Sequence, residues 1–295
     1  QKWLGVLFAL SLIFCFGFVF EAVQTNTIAD TTKAAWGWDQ HYVGVALVIL
    51  TAPIIFGGIR RVSKAAEIIV PLMAVLYLVI ALFIIATNIS LIPEVFGQIF
   101  SNAFNFDSAA GGFLGGLIST TMMQGIKRGL YSNEAGMGSA PIAAAAAKTD
   151  HPVRQALVSM TGTFLDTIVV CSITGIVLVM GLLGAGGEFV KPELSGAALT
   201  TVTFQKMLPG IGGWIVTIGL IFFAYSTILG WCYYGEKCAV YVFGEKFAAL
   251  YRVGYVSSVM LGTVLSLDLV WLASDTFNGL MALPNLIALL LMAKV

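Results

Sequence analysis

Asp166 is the residue whose type and position most directly suggest chemistry. It stands ten residues into the apolar stretch 156–183, where an ionisable side chain is costly and therefore usually has a function. Thr163, Thr167 and Thr174 recur at helical spacing and lie near the same face as the carboxylate. A carboxylate and hydroxyls on one helix face indicate a site for a cation or a proton.

A structural role for Asp166 is the alternative. Its carboxylate could pair with Lys127 or Arg128 and lock two helices together, because a buried charge needs a partner of opposite sign. Glu21 lies near the outer end of the first apolar stretch, and we expect a solvated helix end there.

The segment 222–231 places hydroxyls and an indole near the middle of another apolar stretch. Ser226 and Thr227 offer adjacent oxygen ligands, which a hard cation such as Na⁺ prefers. Thr227 and Trp231 are four residues apart and share a helix face, so a small ligand could contact both. The alternative is that the hydroxyls bond back to carbonyls one turn earlier and serve only helix packing.

A glycine-rich apolar stretch, 112–126, leads into the run 132–141, which contains Asn, Gly and Pro. Thr120, Gln124 and Arg128 recur every four residues and form a polar stripe. Gly and Pro beside an apolar run indicate a broken helix of the kind that holds substrates in transporters. Close helix packing followed by an ordinary loop is the alternative.

Gln24 and Asn26 follow the first apolar stretch. Their amides could contact a polar solute, or they could cap a turn, as Asn often does. The spacing alone favours the turn.

These residues are embedded in a very apolar chain. Of its 295 residues 59% are hydrophobic and 10% are charged, and the mean hydropathy is +0.94, whereas soluble domains carry about 25% charged residues. Such a chain needs lipid around it, so we predict an integral membrane protein. Its net charge of zero gives no reason to expect a nucleic-acid partner. No paired carboxylates, His-rich helix or Ser–Lys arrangement occurs at helical spacing, so we expect no enzyme.

Eight apolar stretches can cross a membrane as helices, which need about 20 residues. They do not alternate apolar and polar residues as barrel strands do. The predicted class is therefore an all-α polytopic helix bundle, with a single transmembrane domain over 1–295. The stretches are 3–23, 42–56, 66–91, 112–126, 156–183, 212–234, 253–272 and 277–293.

The connectors between the stretches give an orientation. Lys and Arg concentrate after every even-numbered stretch, as at Arg60, Arg61 and Arg128, and such connectors are cytoplasmic. The first residue is therefore expected on the cytoplasmic side. Because the chain opens without Met and ends directly after an apolar run, we expect it to be incomplete at both ends.

Six collinear runs of sequence, taken together, carry a family resemblance. They are FGGIRR (56–61), GIKRGLYSNEAGMGSAP (125–141), HPV (151–153), GTFLDTIVVC (162–171), FAYSTILGW (223–231) and NGLMALPN (278–285). They resemble the sodium:alanine (alanine/glycine:cation) symporter family, from end to end of the chain.

This resemblance implies a LeuT-type transporter fold, with two five-helix inverted repeats and a site at mid-membrane. The eight stretches would then be helices three to ten, and the first two helices and the C-terminal end would be missing. Since the broken first helix of this fold supplies much of the substrate and sodium sites, the chain would carry only part of each.

The resemblance also assigns roles to residues of this sequence. Ala224, Ser226 and Thr227 would supply sodium ligands, whereas Trp231 and Asn26 would line the substrate pocket. The sixth family helix would add Thr120, Met123 and Gln124, and its unwound point would lie either at 120–124 or at 133–138.

The implied function is Na⁺-coupled symport of alanine or glycine across the plasma membrane. The implied surroundings are membrane lipid, and no cofactor or metal is expected beyond Na⁺ as the coupling ion. The alternative is a proton-coupled amino-acid permease in which Asp166 titrates. Uptake that follows a pH gradient and ignores Na⁺ would favour that alternative.

Overall fold

The computed structural model describes residues 2–103, 120–183 and 194–292, which fold almost entirely into helices. The helices are α1 (Lys2–Phe14), α2 (Phe20–Trp36), α3 (Gln40–Ile55), α4 (Ile59–Thr87), α5 (Ile92–Ala103), α6 (Thr120–Asn133), α7 (Ala140–Ala144), α8 (Pro152–Phe164), α9 (Ser172–Leu182), α10 (Gly196–Met207), α11 (Gly212–Phe243), α12 (Phe247–Val264) and α13 (Leu267–Met292). Two π-helical turns, Cys15–Val19 and Leu165–Cys171, join α1 to α2 and α8 to α9.

Six helical stretches of the described residues are long and apolar enough to cross a membrane. They are Lys2–Trp36, Arg60–Thr87, Pro152–Leu182, Gly212–Phe243, Phe247–Val264 and Leu267–Met292, and α3 is a shorter apolar helix. These helices confirm the prediction of an all-α polytopic membrane protein. The predicted fourth stretch falls partly on residues 112–119, which lie outside the described ranges, and its remainder opens α6.

The first helix is longer than its apolar stretch predicts, since it continues past residue 23 to Trp36. The hydroxyls of Thr25 and Thr32 donate to carbonyls one turn earlier, so these polar side chains are satisfied within the helix and can stay buried. The expectation that Glu21 is solvated at a helix end is wrong. The residue is 0% exposed, because the helix runs on beyond it and packs against its neighbours.

The turn between the last two helices lies at residues 265–266, so the predicted break between 272 and 277 is wrong. Asn26 of α2 explains this position. Its Nδ2 donates to the carbonyl of Leu265 at 2.7 Å and to that of Gly262 at 3.4 Å, and so satisfies acceptors that the end of α12 leaves free. Asp268 then stands in the first turn of α13, where the helix dipole favours a negative charge.

Helix α11 packs against α1, α2, α4, α10 and α12, and forms the centre of the described part of the chain. The ring of Trp231 contacts Phe16 and Phe20, with centroids 5.1 Å and 5.6 Å away. Helices α2 and α12 approach each other so closely at Gly262 that a Cβ there would collide with Ala22. The result is a tightly packed unit of α2, α11 and α12, beside which a polar cavity lies.

Candidate functional site

A cavity of about 390 Å³ lies between α2, α11, the end of α6 and the π-helical turn after α8. This volume suits a small molecule. Its polar lining comes from four separate parts of the chain, namely Gln24, Ser132, Glu134, Asp166, Ser226 and Thr227. The cavity therefore collects hydroxyls, an amide and two carboxylates in a protein that is otherwise apolar.

One wall of the cavity is formed by Glu134, the first residue of a non-helical segment, 134–139, between α6 and α7. Glu134 has φ of 55°, and Gly136 and Gly138 have φ of 79° and 90°, a left-handed conformation that glycine adopts readily and Glu does not. Asn285 of α13 supports the segment by donating to the carbonyl of Gly136 at 2.9 Å. The predicted helix break is therefore at 134–139, whereas residues 120–133 are continuous helix.

Glu134 is the residue at this wall that the sequence reasoning missed. Its Oε1 accepts a hydrogen bond from Nε1 of Trp231 at 2.7 Å, and its Oε2 accepts one from the hydroxyl of Ser139 at 2.6 Å. The carboxylate thus joins the non-helical segment to α11. A carboxylate inside a run of Asn, Gly and Pro was the available signal, but its partner ninety-seven residues away could not be read from spacing.

Asp166 lies in the π-helical turn Leu165–Cys171 and faces the end of α6. Its Oδ1 accepts a hydrogen bond from Ser132 at 2.8 Å, and its Oδ2 accepts one from Thr167 at 3.3 Å. Asn133 donates to the hydroxyl of Thr167 at 2.9 Å. Asp166 also lines a neighbouring cavity of about 590 Å³, so its carboxylate stands between two cavities.

The four-residue polar face predicted for this helix is only partly formed. A π-helical turn shifts the side chains that follow it around the helix axis. Thr163, before the turn, lines the larger cavity, and Thr167 contacts Asp166. Thr174, after the turn, instead forms a hydrogen bond with Tyr77 of α4.

The predicted pairing of Asp166 with Lys127 or Arg128 is wrong, because both cations face Asp275 of α13. Arg128 donates from Nη2 to both carboxylate oxygens at 2.8 Å, and Nζ of Lys127 lies 3.8 Å from Oδ2. The guanidinium of Arg128 also covers the ring of Trp271 at 3.9 Å. These contacts join α6 to α13.

The predicted sodium ligands lie beside the cavity on α11. Ser226 and Thr227 line it, and both hydroxyls donate to the carbonyl of Phe223 at 2.9 Å. Each hydroxyl oxygen keeps lone pairs that can face a cation. Ala224 is buried on the same helix.

The predicted substrate residues are not all brought together. Trp231 lines the cavity, but Asn26 is 1% exposed and is committed to the end of α12. Met123 and Gln124 are exposed on α6, and neither lines this cavity. The side chain of Thr120 lies outside the described part of the structure.

Comparison with known proteins decides the family. The model of the sodium:alanine symporter family matches residues 1–295. The chain belongs to this family. The resemblance predicted from the sequence motifs is thereby confirmed, and the family is one of transporters.

Three relatives show how much of the length of a family member this chain covers. A sodium/alanine symporter of Methanococcus maripaludis is 55% identical over 100% of this chain and 63% of its own length. A probable sodium/glutamine symporter of Bacillus subtilis is 40% identical over 100% of this chain and 60% of its own. A sodium/proton-dependent alanine carrier of Bacillus sp. (strain PS3) is 36% identical over 96% of this chain and 66% of its own. The chain thus spans about three fifths of the length of such relatives.

Proposed function

We propose that this symporter-family protein couples Na⁺ flow to the uptake of a small neutral amino acid, alanine or glycine, across the plasma membrane. The observation that carries the proposal is the cavity where Ser226 and Thr227 of α11 meet the carboxylate of Asp166 and the ring of Trp231. Family membership and the names of the relatives support the same function.

The lining of the cavity fits a small zwitterion. The carboxylates of Asp166 and Glu134 offer acceptors for an ammonium group. Gln24 offers an amide as a donor for a carboxylate. The buried ring of Trp231 closes the cavity next to the carboxylates, which favours a short side chain over a long one.

Sodium is assigned to the α11 side of the cavity. Na⁺ is a hard cation that takes oxygen ligands, and Ser226 and Thr227 present two hydroxyl oxygens at the cavity wall. We assign Ala224, which is buried on the same helix, as the third sodium ligand of this group. A bound cation next to the substrate neutralises negative charge and stabilises the closed state.

The fold proposed for the complete transporter is the LeuT type, with inverted repeats and alternating access around a mid-membrane site. The non-helical segment 134–139 and the π-helical turn at Asp166 support this proposal, since irregular backbone inside a membrane is tolerated where it lines a cavity. In this arrangement residue 1 is cytoplasmic. Transport needs no cofactor beyond the coupling ion and no covalent chemistry.

The test is uptake of labelled alanine into proteoliposomes that contain the full-length protein, with an inward gradient of Na⁺ or of K⁺. We expect uptake with Na⁺ alone, and a strong loss in Thr227→Ala. Thr200→Ala is the matched control, because Thr200 lies on α10 and its hydroxyl bonds only to its own helix.

Two outcomes would contradict this assignment. Equal uptake in both salts would exclude sodium coupling, and loss of the pH response in Asp166→Asn would then assign coupling to a proton at Asp166. Sodium-driven uptake that is unchanged in Thr227→Ala would remove the sodium role from α11.

A further inference from the structure

Glu21 is a buried carboxyl group that the proposed transport site does not use. It lies in the middle of the continuous α1–α2 helix and is 0% exposed. Its Oε2 lies 3.0 Å from the hydroxyl oxygen of Ser258 on α12. Its Oε1 has no hydrogen-bond partner in the described structure, since the hydroxyl of neighbouring Thr25 donates to the backbone carbonyls of Glu21 and Ala22.

The single hydroxyl proton of Ser258 cannot serve a carboxylate at Glu21 as well as the two backbone carbonyls beside it. The Ser258 hydroxyl lies 3.0 Å from the carbonyl of Gly17 and 2.7 Å from that of Tyr255, in addition to the Glu21 contact. A hydroxyl has one proton to donate and two lone pairs with which to accept. If that proton goes to a carbonyl, the contact with Glu21 is a hydrogen bond only when Glu21 carries a proton and donates it to Ser258.

Among the described residues, the groups around Glu21 offer it no positive charge. The titratable side chains that face it are Cys232 of α11 and Tyr251 and Tyr255 of α12, all of which are neutral or negative. Arg252, a cation on α12, makes a two-bond ion pair with Glu236 at 2.6 and 2.7 Å. An unpaired carboxylate is costly in such surroundings, and a carboxyl group there takes up a proton instead.

We propose that Glu21 is a proton-binding site, separate from the sodium ligands on α11, and that its proton stabilises the packed arrangement of α2 against α12. This inference rests on the proposed transport function and adds a pH dependence to it. A proton rather than a metal ion is the fitting ligand, because the described residues contain no group of three or more His, Cys, Asp or Glu side chains that could hold a metal ion.

The effect of alkaline pH follows from the packing. When the carboxylic acid of Glu21 gives its proton to water, the O–H bond breaks and a carboxylate remains next to Ser258 in the apolar seam. A buried carboxylate without a cation beside it is costly, so a rising pH opposes the packed arrangement of α2 against α12.

The functional test compares sodium-driven alanine uptake by full-length wild type and Glu21→Gln between about pH 6 and about pH 9. Wild-type uptake should fall at alkaline pH, by at most about tenfold per pH unit for one proton. Glu21→Gln mimics the neutral acid, so its uptake should persist and lose that fall. A fall of the same size in Glu21→Gln would overturn the proposal.

A second measurement needs no transport and therefore separates this proposal from the proposed function. Infrared spectra of the wild type at neutral pH should show the carbonyl stretch of a buried carboxylic acid. In Ser258→Ala that band should shift, because Glu21 loses the acceptor of its proton. Absence of the band, or a band that Ser258→Ala leaves unchanged, would overturn the assignment even if Glu21→Gln failed to fold.

Discussion

Glu134 links the strained wall of the cavity to α11. A non-glycine residue at φ of 55° stores strain, which the surrounding contacts must offset. The two bonds that its carboxylate accepts, from Trp231 and Ser139, are charge-assisted and short. We therefore assign Trp231 two functions, one through its ring at the cavity and one through its indole N–H on Glu134.

Trp231→Phe tests the second function, because it keeps an aromatic ring and removes the N–H. We expect the KM for alanine to rise about tenfold, equivalent to about 1.4 kcal/mol, since Glu134 is left with an unpaired oxygen next to the substrate. Kinetics of uptake in proteoliposomes measure this change. Trp214→Phe is the matched control on the same helix, since Trp214 is 55% exposed and distant from the cavity lining. An equal KM in both variants would contradict the role of the indole N–H.

At the scale of elements, the seam between α2 and α12 depends on polar side chains buried in helices. Asn26 closes the end of α12, and Ser258 contacts the π-helical turn at Gly17. Buried polar residues lower the local hydropathy, so a prediction from hydropathy ends a helix where they begin. For this reason the predicted first stretch, 3–23, ends thirteen residues before the helix does. The partners of these side chains lie more than two hundred residues away along the chain.

Asn26→Ala distinguishes the two roles considered for this residue. The structure predicts a loss of about 1–3 kcal/mol of stability, because the carbonyls at the end of α12 lose a buried donor, with the KM for alanine unchanged. Thermal unfolding in detergent and uptake kinetics measure the two quantities. Asn88→Ala is the control, since Asn88 bonds only within its own part of the chain. A raised KM with normal stability would instead place Asn26 in the substrate pocket.

At the scale of the whole molecule, features that depend on the local sequence could be predicted, and features that depend on helix packing could not. Apolar length predicts where helices cross a membrane, and collinear motifs predict the family. Pairs such as Ser132–Asp166 and Trp231–Glu134 depend on how helices pack, which single-chain spacing does not contain. The π-helical turn before Thr174 adds a further error, because it breaks the 3.6-residue period on which the predicted face rested.

The contact of Arg128 with Asp275 is the interaction whose removal should separate α6 from α13. Both side chains are about one third exposed, at 34% and 31%, so water weakens the pair and we expect a coupling energy of about 1 kcal/mol. A double-mutant cycle with Arg128→Gln and Asp275→Asn in thermal unfolding measures it. Lys127→Gln provides the control cycle, because Nζ of Lys127 lies 3.8 Å away and its side chain is 45% exposed.

The same variants also test whether the contact between α6 and α13 affects the movement of these helices during transport. Neither Arg128 nor Asp275 lines the cavity of Trp231 and Thr227, so their loss should change the maximal rate of uptake and leave the KM for alanine unchanged. A coupling energy near zero, equal to that of the Lys127 control, would show that the α6–α13 contact is a surface ion pair without mechanical effect. A changed KM would instead mean that Arg128 meets the carboxylate of the substrate, in competition with Asp275.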